Sequence, residues 1–144
     1  MKKTLLIATL LSMTVGMAHA YDDSFPFGFR GKWENEYAQG YSNYWGGEPM
    51  RNRAIQLVCL DGKAQYAELS VYMGNSTKNF KINIDGKIYD NFQVKGKPNG
   101  ANWTEMIVAL SKAKSIWAIT KNDKFFIPTK NQGILKDAIK ECRP

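Results

Sequence analysis

The chain has 144 residues, of which 44% are hydrophobic and 23% are charged, and its formal net charge is +7. This length fits one domain, and the composition is that of an ordinary globular protein. Collagen-like and low-complexity proteins are therefore excluded. The sequence contains a single histidine, His19, and its position decides much of the chemistry that follows.

The first element is a predicted secretory signal peptide over residues 1–20. Two lysines follow the initiating methionine, residues 5–15 are mostly apolar, and Ala18 and Ala20 flank one position in the usual small-x-small cleavage pattern. The apolar run is too short to span a bilayer, and no later segment is apolar enough, so no transmembrane segment is expected. Cleavage after Ala20 would leave a single periplasmic or secreted domain, residues 21–144.

The exported domain would lack most catalytic chemistry. Cleavage removes His19 and two lysines, which lowers the net charge from +7 to +5. Cys59 and Cys142 are the only cysteines, and two cysteines in an oxidising compartment usually form a disulfide. The alternative is two separate buried thiols. With no histidine and no free thiol, His-based metal sites and Ser-His or Cys nucleophiles are absent. We therefore predict a protein that is not an enzyme and has no cofactor and no metal.

Residues 21–50 are rich in aromatic residues and glycine. Phe25, Phe27 and Phe29 alternate and predict a short extended piece, which Pro26 restricts to a sheet edge. Residues 33–37 suggest another short strand. The following residues, 41–47, resemble an exposed loop, because aromatic residues there alternate with Ser, Asn and Gly as in adaptable binding loops. The candidate binding residues are Tyr41, Tyr44 and Trp45. The alternative is that these rings close the core.

Residues 51–94 predict an antiparallel meander. Strands are expected at residues 54–60, 65–73, 80–84 and 88–94, because apolar residues there form a buried run or alternate with polar ones. Asp61-Gly62 and Asp85-Gly86 are strong hairpin signals between these strands.

Residues 95–144 mix helix and strand. Asn102, with Glu105 three residues later, predicts a capped helix start. Residues 116–120 and 124–127 predict a strand pair. A last helix over residues 131–141 has an apolar stripe at Leu135, Ala138, Ile139 and Cys142. The expected fold is α+β, an antiparallel β-sandwich or curled sheet with one or two short helices, the last of which a Cys59–Cys142 bond would tie to the sheet.

Charge is unevenly distributed along the chain. Residues 21–94 have 8 basic and 9 acidic residues, whereas residues 95–144 have 10 and 4. The basic half could face an anionic partner or could simply be solvated. Arg143 is its only arginine, so specific nucleic-acid recognition is not predicted. Glu34 and Glu36 would share a strand face, as an acid/base pair or as solubilising charges.

The order of elements after Met50 resembles a group of exported bacterial proteins. A cysteine on an early strand (Leu57-Val58-Cys59) is followed by alternating strands, a helix, a strand pair and a final Ala-x-x-x-Cys from Ala138 to Cys142. This order is similar to the invasion-associated locus B family and to periplasmic proteins associated with type VI secretion. The resemblance implies a β-sandwich with one disulfide. It implies no binding residues.

These observations predict a non-enzymatic periplasmic or secreted module that binds a protein partner in the cell envelope. One alternative is a periplasmic immunity or inhibitor protein against an enzyme that attacks the envelope. Another is a protein that binds glycans or cleaves them with carboxylates.

Overall fold

The computed structural model describes residues 31–48, 53–71 and 75–144. They form two antiparallel four-stranded sheets, a two-stranded ribbon and two short helices, so the predicted α+β class with antiparallel sheets is confirmed. The predicted signal peptide, and the extended piece predicted at Phe25, Phe27 and Phe29, lie outside the described residues. No helix in the described part of the chain is long and apolar enough to cross a membrane.

The first sheet is a meander of neighbouring strands in chain order. Its strands are β1 (Trp33–Ala38), β2 (Tyr41–Glu48), β3 (Arg53–Leu60) and β4 (Lys63–Val71). Two-residue turns join β1 to β2 and β3 to β4, and both residues of each turn have positive φ. Turns of this kind follow the twist of the strands, and a glycine in second place adopts that φ without strain. The turns are Gln39-Gly40 and Asp61-Gly62.

The second sheet combines strands that are distant in sequence. The remaining strands are β5 (Lys81–Ile84), β6 (Lys87–Tyr89), β7 (Gln93–Val94), β8 (Lys97–Pro98), β9 (Ile116–Ile119) and β10 (Lys124–Ile127). The sheet has the order β10-β9-β5-β6, and β7 and β8 form the ribbon. Both Asp-Gly hairpins and the β9–β10 pair are confirmed. The single meander predicted over residues 51–94 is wrong, because β3 and β4 belong to the first sheet and β5 and β6 to the second.

The strand predicted over residues 88–94 is also wrong. Strand β6 ends at Tyr89, and Gln93 turns back to the first sheet. The Gln93 side-chain amide donates to the Ala67 carbonyl oxygen at 2.9 Å and accepts from the Ala67 N–H at 2.9 Å. The Gln93 side-chain amide thus makes the two hydrogen bonds that the backbone of a neighbouring strand would make. No local sequence pattern indicates this contact.

Helix α1 (Gly100–Leu110) begins before the predicted start at Asn102. Asn99 is its N-cap residue, and the backbone N–H groups of Asn102 and Trp103 donate to the Asn99 carbonyl. Glu105 does not close a capping box; it pairs with Lys87 at 2.8 Å instead. The predicted apolar face is confirmed, because four residues at helical spacing are buried: Trp103, Met106, Ile107 and Leu110.

The C-terminal helix packs on the first sheet as predicted. A 3₁₀ turn (Gln132–Ile134) leads into α2 (Leu135–Glu141), which buries Leu135 and Ala138. The inner faces of both sheets and the two helices enclose one core. The largest fully buried side chains are Trp33, Trp103, Tyr44, Phe92, Ile55, Leu57, Leu69, Ile82, Met106, Ile107, Leu110 and Ile116.

The predicted Cys59–Cys142 disulfide is confirmed and joins β3 to the residue after α2, with a Cα–Cα distance of 5.2 Å. Hydrogen bonds hold the same end of the chain. The Trp103 indole Nε1–H donates to the Cys142 carbonyl at 2.9 Å, and the Ala64 N–H donates to the Arg143 carbonyl at 2.7 Å. The C-terminus is therefore fixed to both the sheet and helix α1.

Candidate functional site

The three predicted binding residues lie on strand β2, so the loop interpretation of residues 41–47 is wrong. Their side chains alternate between the two faces of the first sheet. Tyr44 points into the core and is fully buried. Tyr41 and Trp45 lie on the other face, where Tyr41 is 42% exposed and Trp45 only 7%. Tyr41 is thus the one member of this predicted site that presents much surface, and a binding role for the three residues stays a prediction.

Close packing against a tryptophan explains the glycine at position 46 of this aromatic strand. Trp33 of β1 lies opposite Gly46 of β2. A Cβ atom at Gly46 would come within 2.6 Å of three atoms of the Trp33 ring, a distance that real Cβ contacts do not reach. The indole therefore lies across the space that a side chain at position 46 would fill. This glycine permits close packing and does not mark a flexible loop.

Tyr44 joins the sheet to the end of helix α2. Its hydroxyl donates to Glu141 Oε2 at 2.9 Å, and the Ser42 hydroxyl donates to the same oxygen at 3.1 Å. Burial raises the pKa of Tyr44 well above its usual value, and the Glu141 carboxylate, as hydrogen-bond acceptor and as negative charge, raises it further. The contact is structural, because it anchors the helix that carries Cys142.

We expect Tyr44→Phe to lower the free energy of unfolding by about 1 kcal/mol at neutral pH, because the hydrogen bond to Glu141 is lost. The folded-state pKa of Tyr44 lies above the unfolded value, so its stabilising effect is complete below about pH 10 and is lost as pH rises through the folded pKa. Urea titrations from neutral to alkaline pH should therefore show a smaller alkaline loss of stability in Tyr44→Phe than in the unchanged protein.

Ser42→Ala is the matched control for this experiment. It removes a hydrogen bond to the same Glu141 oxygen but no group that titrates in this range. It should keep the full alkaline loss of stability. If Tyr44→Phe and Ser42→Ala show the same pH profile, the contact of Tyr44 with Glu141 does not perturb its titration as described.

The predicted carboxylate pair does share a strand face. Glu34 and Glu36 both lie on β1. Side chains alternate along a strand, and Trp33 is buried in the core between the two sheets, so both glutamates lie on the face away from the core. Glu34 pairs with Lys32 at 3.4 Å, and Glu36 is exposed. This arrangement does not favour acid/base catalysis over the alternative of solubilising charges. Within the described residues, no group of three His, Cys, Asp or Glu side chains could hold a metal ion.

A second surface with exposed aromatic side chains lies on the second sheet, where the sequence did not indicate a site. Along β5, β9 and β10, buried residues alternate with six side chains that point away from the core, and Ile88 of β6 lies in register with them. We call this set the outer face of the second sheet. It consists of Lys81, Asn83, Ile88, Trp117, Ile119, Lys124 and Phe126.

Four of these side chains form one row across all four strands. Phe126 lies opposite Trp117, Trp117 opposite Asn83, and Asn83 opposite Ile88. Phe126 is 42% and Ile88 43% exposed, and Trp117 is partly exposed between them. The Trp117 and Phe126 rings meet edge to face, with centroids 5.5 Å apart and planes at 75°. Three of the four side chains in this row are apolar, and the adjacent exposed pair Trp117 and Phe126 is a feature typical of interaction surfaces.

The charge of this face has a single sign. Lys81 and Lys124 both lie opposite Ile119, and the Lys124 ammonium sits 4.5 Å from the centroid of the Trp117 ring. None of the seven positions carries a carboxylate. The outer face of the second sheet therefore suits a partner that offers both apolar and acidic groups.

A sequence signal for this face existed. In Ile-Trp-Ala-Ile (β9) and Lys-Phe-Phe-Ile (β10), apolar residues occupy both faces of the strand. That pattern is also typical of a strand buried on both sides, so only the tertiary structure separates the two cases.

Two polar cavities lie near the β6 strand. The smaller one, about 160 Å³, lies between β6 and α1 and is lined by Lys87 and Glu105, which form an ion pair. The larger one, about 540 Å³, is lined by Lys78, Lys95 and Asp90 among others.

The model of a protein family described as YfjT matches residues 31–135. The match spans both sheets and helix α1, and it ends at Leu135, the first residue of α2. No curated protein and no solved structure matches the chain significantly. The resemblance to the invasion-associated locus B and type VI secretion groups stays a prediction.

Proposed function

The chain belongs to the YfjT family, and we propose that it is a non-enzymatic periplasmic or secreted module that binds a protein partner in the cell envelope. The observation that carries the proposal is the exposed row of Phe126, Trp117, Asn83 and Ile88 across the second sheet. The proposed periplasmic or secreted location of the protein is supported by the predicted signal peptide and by the disulfide, a bond typical of oxidising compartments.

The shape of the surface favours a protein over a glycan. A sugar binds by laying one flat face on an aromatic ring, and two coplanar rings extend such a platform. The Trp117 and Phe126 planes are instead inclined at 75°, so one flat ligand does not stack on both. Interlocking side chains of a protein partner fill such an angled pair well, and aromatic residues often dominate the energy of protein interfaces.

The available chemistry favours binding over catalysis. Both cysteines are bonded to each other, and the only histidine, His19, lies in the predicted signal peptide. The immunity or inhibitor alternative would use the same surface. The identity of the partner, a hydrolase or a structural protein of the envelope, separates these two functions.

We expect Phe126→Ala to weaken binding of the purified envelope partner about thirtyfold, because truncating an aromatic hot-spot side chain costs about 2 kcal/mol at an interface. The partner would first be identified by cross-linking the oxidised protein in intact cells, and affinities would then be measured by calorimetry. Folding should change little, since the Phe126 side chain is exposed.

Tyr41→Ala is the matched control, since Tyr41 and Phe126 are equally exposed, at 42%. Tyr41 lies on the outer side of the first sheet and belongs to the binding site that the sequence predicts. If Tyr41→Ala abolishes binding and Phe126→Ala does not, the outer face of the second sheet is not the contact surface. If the partner is a glycan fraction and no protein is cross-linked, the proposed class of partner is wrong.

A further inference from the structure

The two edges of the first sheet are treated differently by the fold. At the β4 edge, Gln93 bonds both backbone groups of Ala67, at 2.9 Å each. Two residues further along β4, Leu69 and Thr77 exchange two backbone hydrogen bonds of 2.8 and 3.0 Å. The outward-facing backbone groups of Ala67 and Leu69 are therefore satisfied by the chain itself, which protects this part of the edge from other strands.

At the β1 edge, the described part of the chain covers the first residue alone. The Trp33 N–H donates to the Lys130 carbonyl at 2.9 Å, and the Trp33 carbonyl accepts from Asn131 Nδ2 at 2.8 Å. These bonds show that the backbone groups of Trp33 point away from β2. Because outward groups recur at every second residue of a strand, those of Asn35 and Tyr37 also point away from the sheet.

The rest of the β1 edge pairs with no strand in the described part of the chain. Residues 35–38 are all exposed, and Tyr37 has 72% of its surface accessible. Within residues 31–48, 53–71 and 75–144, nothing pairs with the N–H and C=O groups of Asn35 and Tyr37. The edge thus offers two donors and two acceptors in strand geometry beside an exposed aromatic ring, which are the features that extended peptides bind.

Charge disfavours a second copy of this chain as the added strand in the registers that use the outward groups of Asn35. Two β1 strands that pair antiparallel through Asn35 and Tyr37 place Glu36 opposite Glu36 of the other copy. The register that pairs Asn35 with Asn35 of the other copy places Glu34 opposite Glu36. It also requires the outward N–H and C=O groups of Trp33, which already bond Lys130 and Asn131. Like charges directly opposite each other destabilise a sheet. A strand with basic residues at these positions would be favoured instead.

We propose that the β1 edge binds an extended segment of a partner protein as a fifth strand of the first sheet, with a lysine or arginine opposite Glu36. Backbone hydrogen bonds to Asn35 and Tyr37 would supply much of the affinity, and the carboxylates would select basic segments. This site is separate from the outer face of the second sheet, and it goes beyond the function proposed above.

The test uses two synthetic peptides and the oxidised protein, residues 21–144. One peptide is Lys-Val-Lys-Thr-Lys, blocked at both ends, and the other replaces each lysine with glutamate. We expect the lysine peptide to bind at least about tenfold more tightly by calorimetry, and to slow hydrogen exchange at the Asn35 and Tyr37 amides. Equal affinity of the two peptides, or no binding by the lysine peptide, would overturn the proposal.

A proline at position 35 removes one outward donor, and edge strands tolerate proline at such positions. Asn35→Pro should weaken binding of the lysine peptide at least about tenfold, whereas Asn35→Ala, which keeps the N–H group, should leave it nearly unchanged. If Asn35→Pro fails to fold, N-methylation of the peptide residue opposite Asn35 removes the other bond of the same pair, from the peptide N–H to the Asn35 carbonyl, on the unchanged protein. If the methylated peptide binds as tightly as the unmodified one, the peptide does not bind at the β1 edge, and the proposal is wrong.

Phe126→Ala distinguishes the two proposals. It should leave binding of the lysine peptide unchanged, because Phe126 lies on the other sheet. Loss of peptide binding in Phe126→Ala would show that the peptide occupies the outer face of the second sheet, and the β1 proposal would then fail while the proposed function would stand.

Discussion

Cys142→Ala is expected to lower the free energy of unfolding by about 4 kcal/mol. The Cys59–Cys142 bond closes a loop with a sequence separation of 83, and removing it returns a large conformational freedom to the unfolded chain. The folded state should change less, because Trp103 still bonds the carbonyl at position 142 and Ala64 still bonds Arg143. Denaturation by urea, followed by circular dichroism, measures the change.

Reduction of the unchanged protein is the control for this prediction. If loss of the cross-link itself causes the lower stability, the reduced protein and the Cys59→Ala/Cys142→Ala double variant should each lose about as much free energy of unfolding as Cys142→Ala does. Equal urea midpoints for oxidised and reduced protein would contradict the prediction. A much larger loss in Cys142→Ala than on reduction would instead indicate a packing defect at the end of α2.

Trp33→Ala is expected to lower the free energy of unfolding by about 3–5 kcal/mol, the usual cost of deleting a buried aromatic side chain. Trp33 is fully buried, and its indole Nε1–H donates to the Pro128 carbonyl at 2.8 Å. The variant therefore leaves a cavity and an unpaired carbonyl together. Trp117→Ala is the control, because this tryptophan lies on the outer face of the second sheet and should cost about 1 kcal/mol or less.

The contact of Trp33 with Gly46 gives a sharper test of the same packing. In the unchanged protein, Gly46→Ala should cost about 1–3 kcal/mol, because the new methyl group overlaps the indole ring. In the Trp33→Ala background the ring is gone, so Gly46→Ala should cost almost nothing. Strictly additive losses across this double-mutant cycle would mean that the two residues do not share the space.

Local pattern was sufficient for most individual elements. The two Asp-Gly turns, the alternating strand β4 and the apolar face of α1 are each specified within about ten residues, by turn chemistry and by the periods of 2 and 3.6. The inward position of Cys142 on the stripe of α2 likewise led to the correct disulfide. The start of α1 was missed because Asn102 and Glu105 form a capping pattern, while the backbone of Asn99 supplies the actual cap.

The sequence by itself therefore determined the α+β class, the antiparallel hairpins and the disulfide, since each of these follows from neighbouring residues or from a single possible pairing. Only the tertiary structure decided that Tyr44 is core, that β5 pairs with β9, and that Trp117 and Phe126 face outward. Apolar side chains at positions 44, 45, 117 and 126 look equivalent along the chain. Which of them is buried depends on which strands and helices pack over each face, and those contacts join residues far apart in sequence.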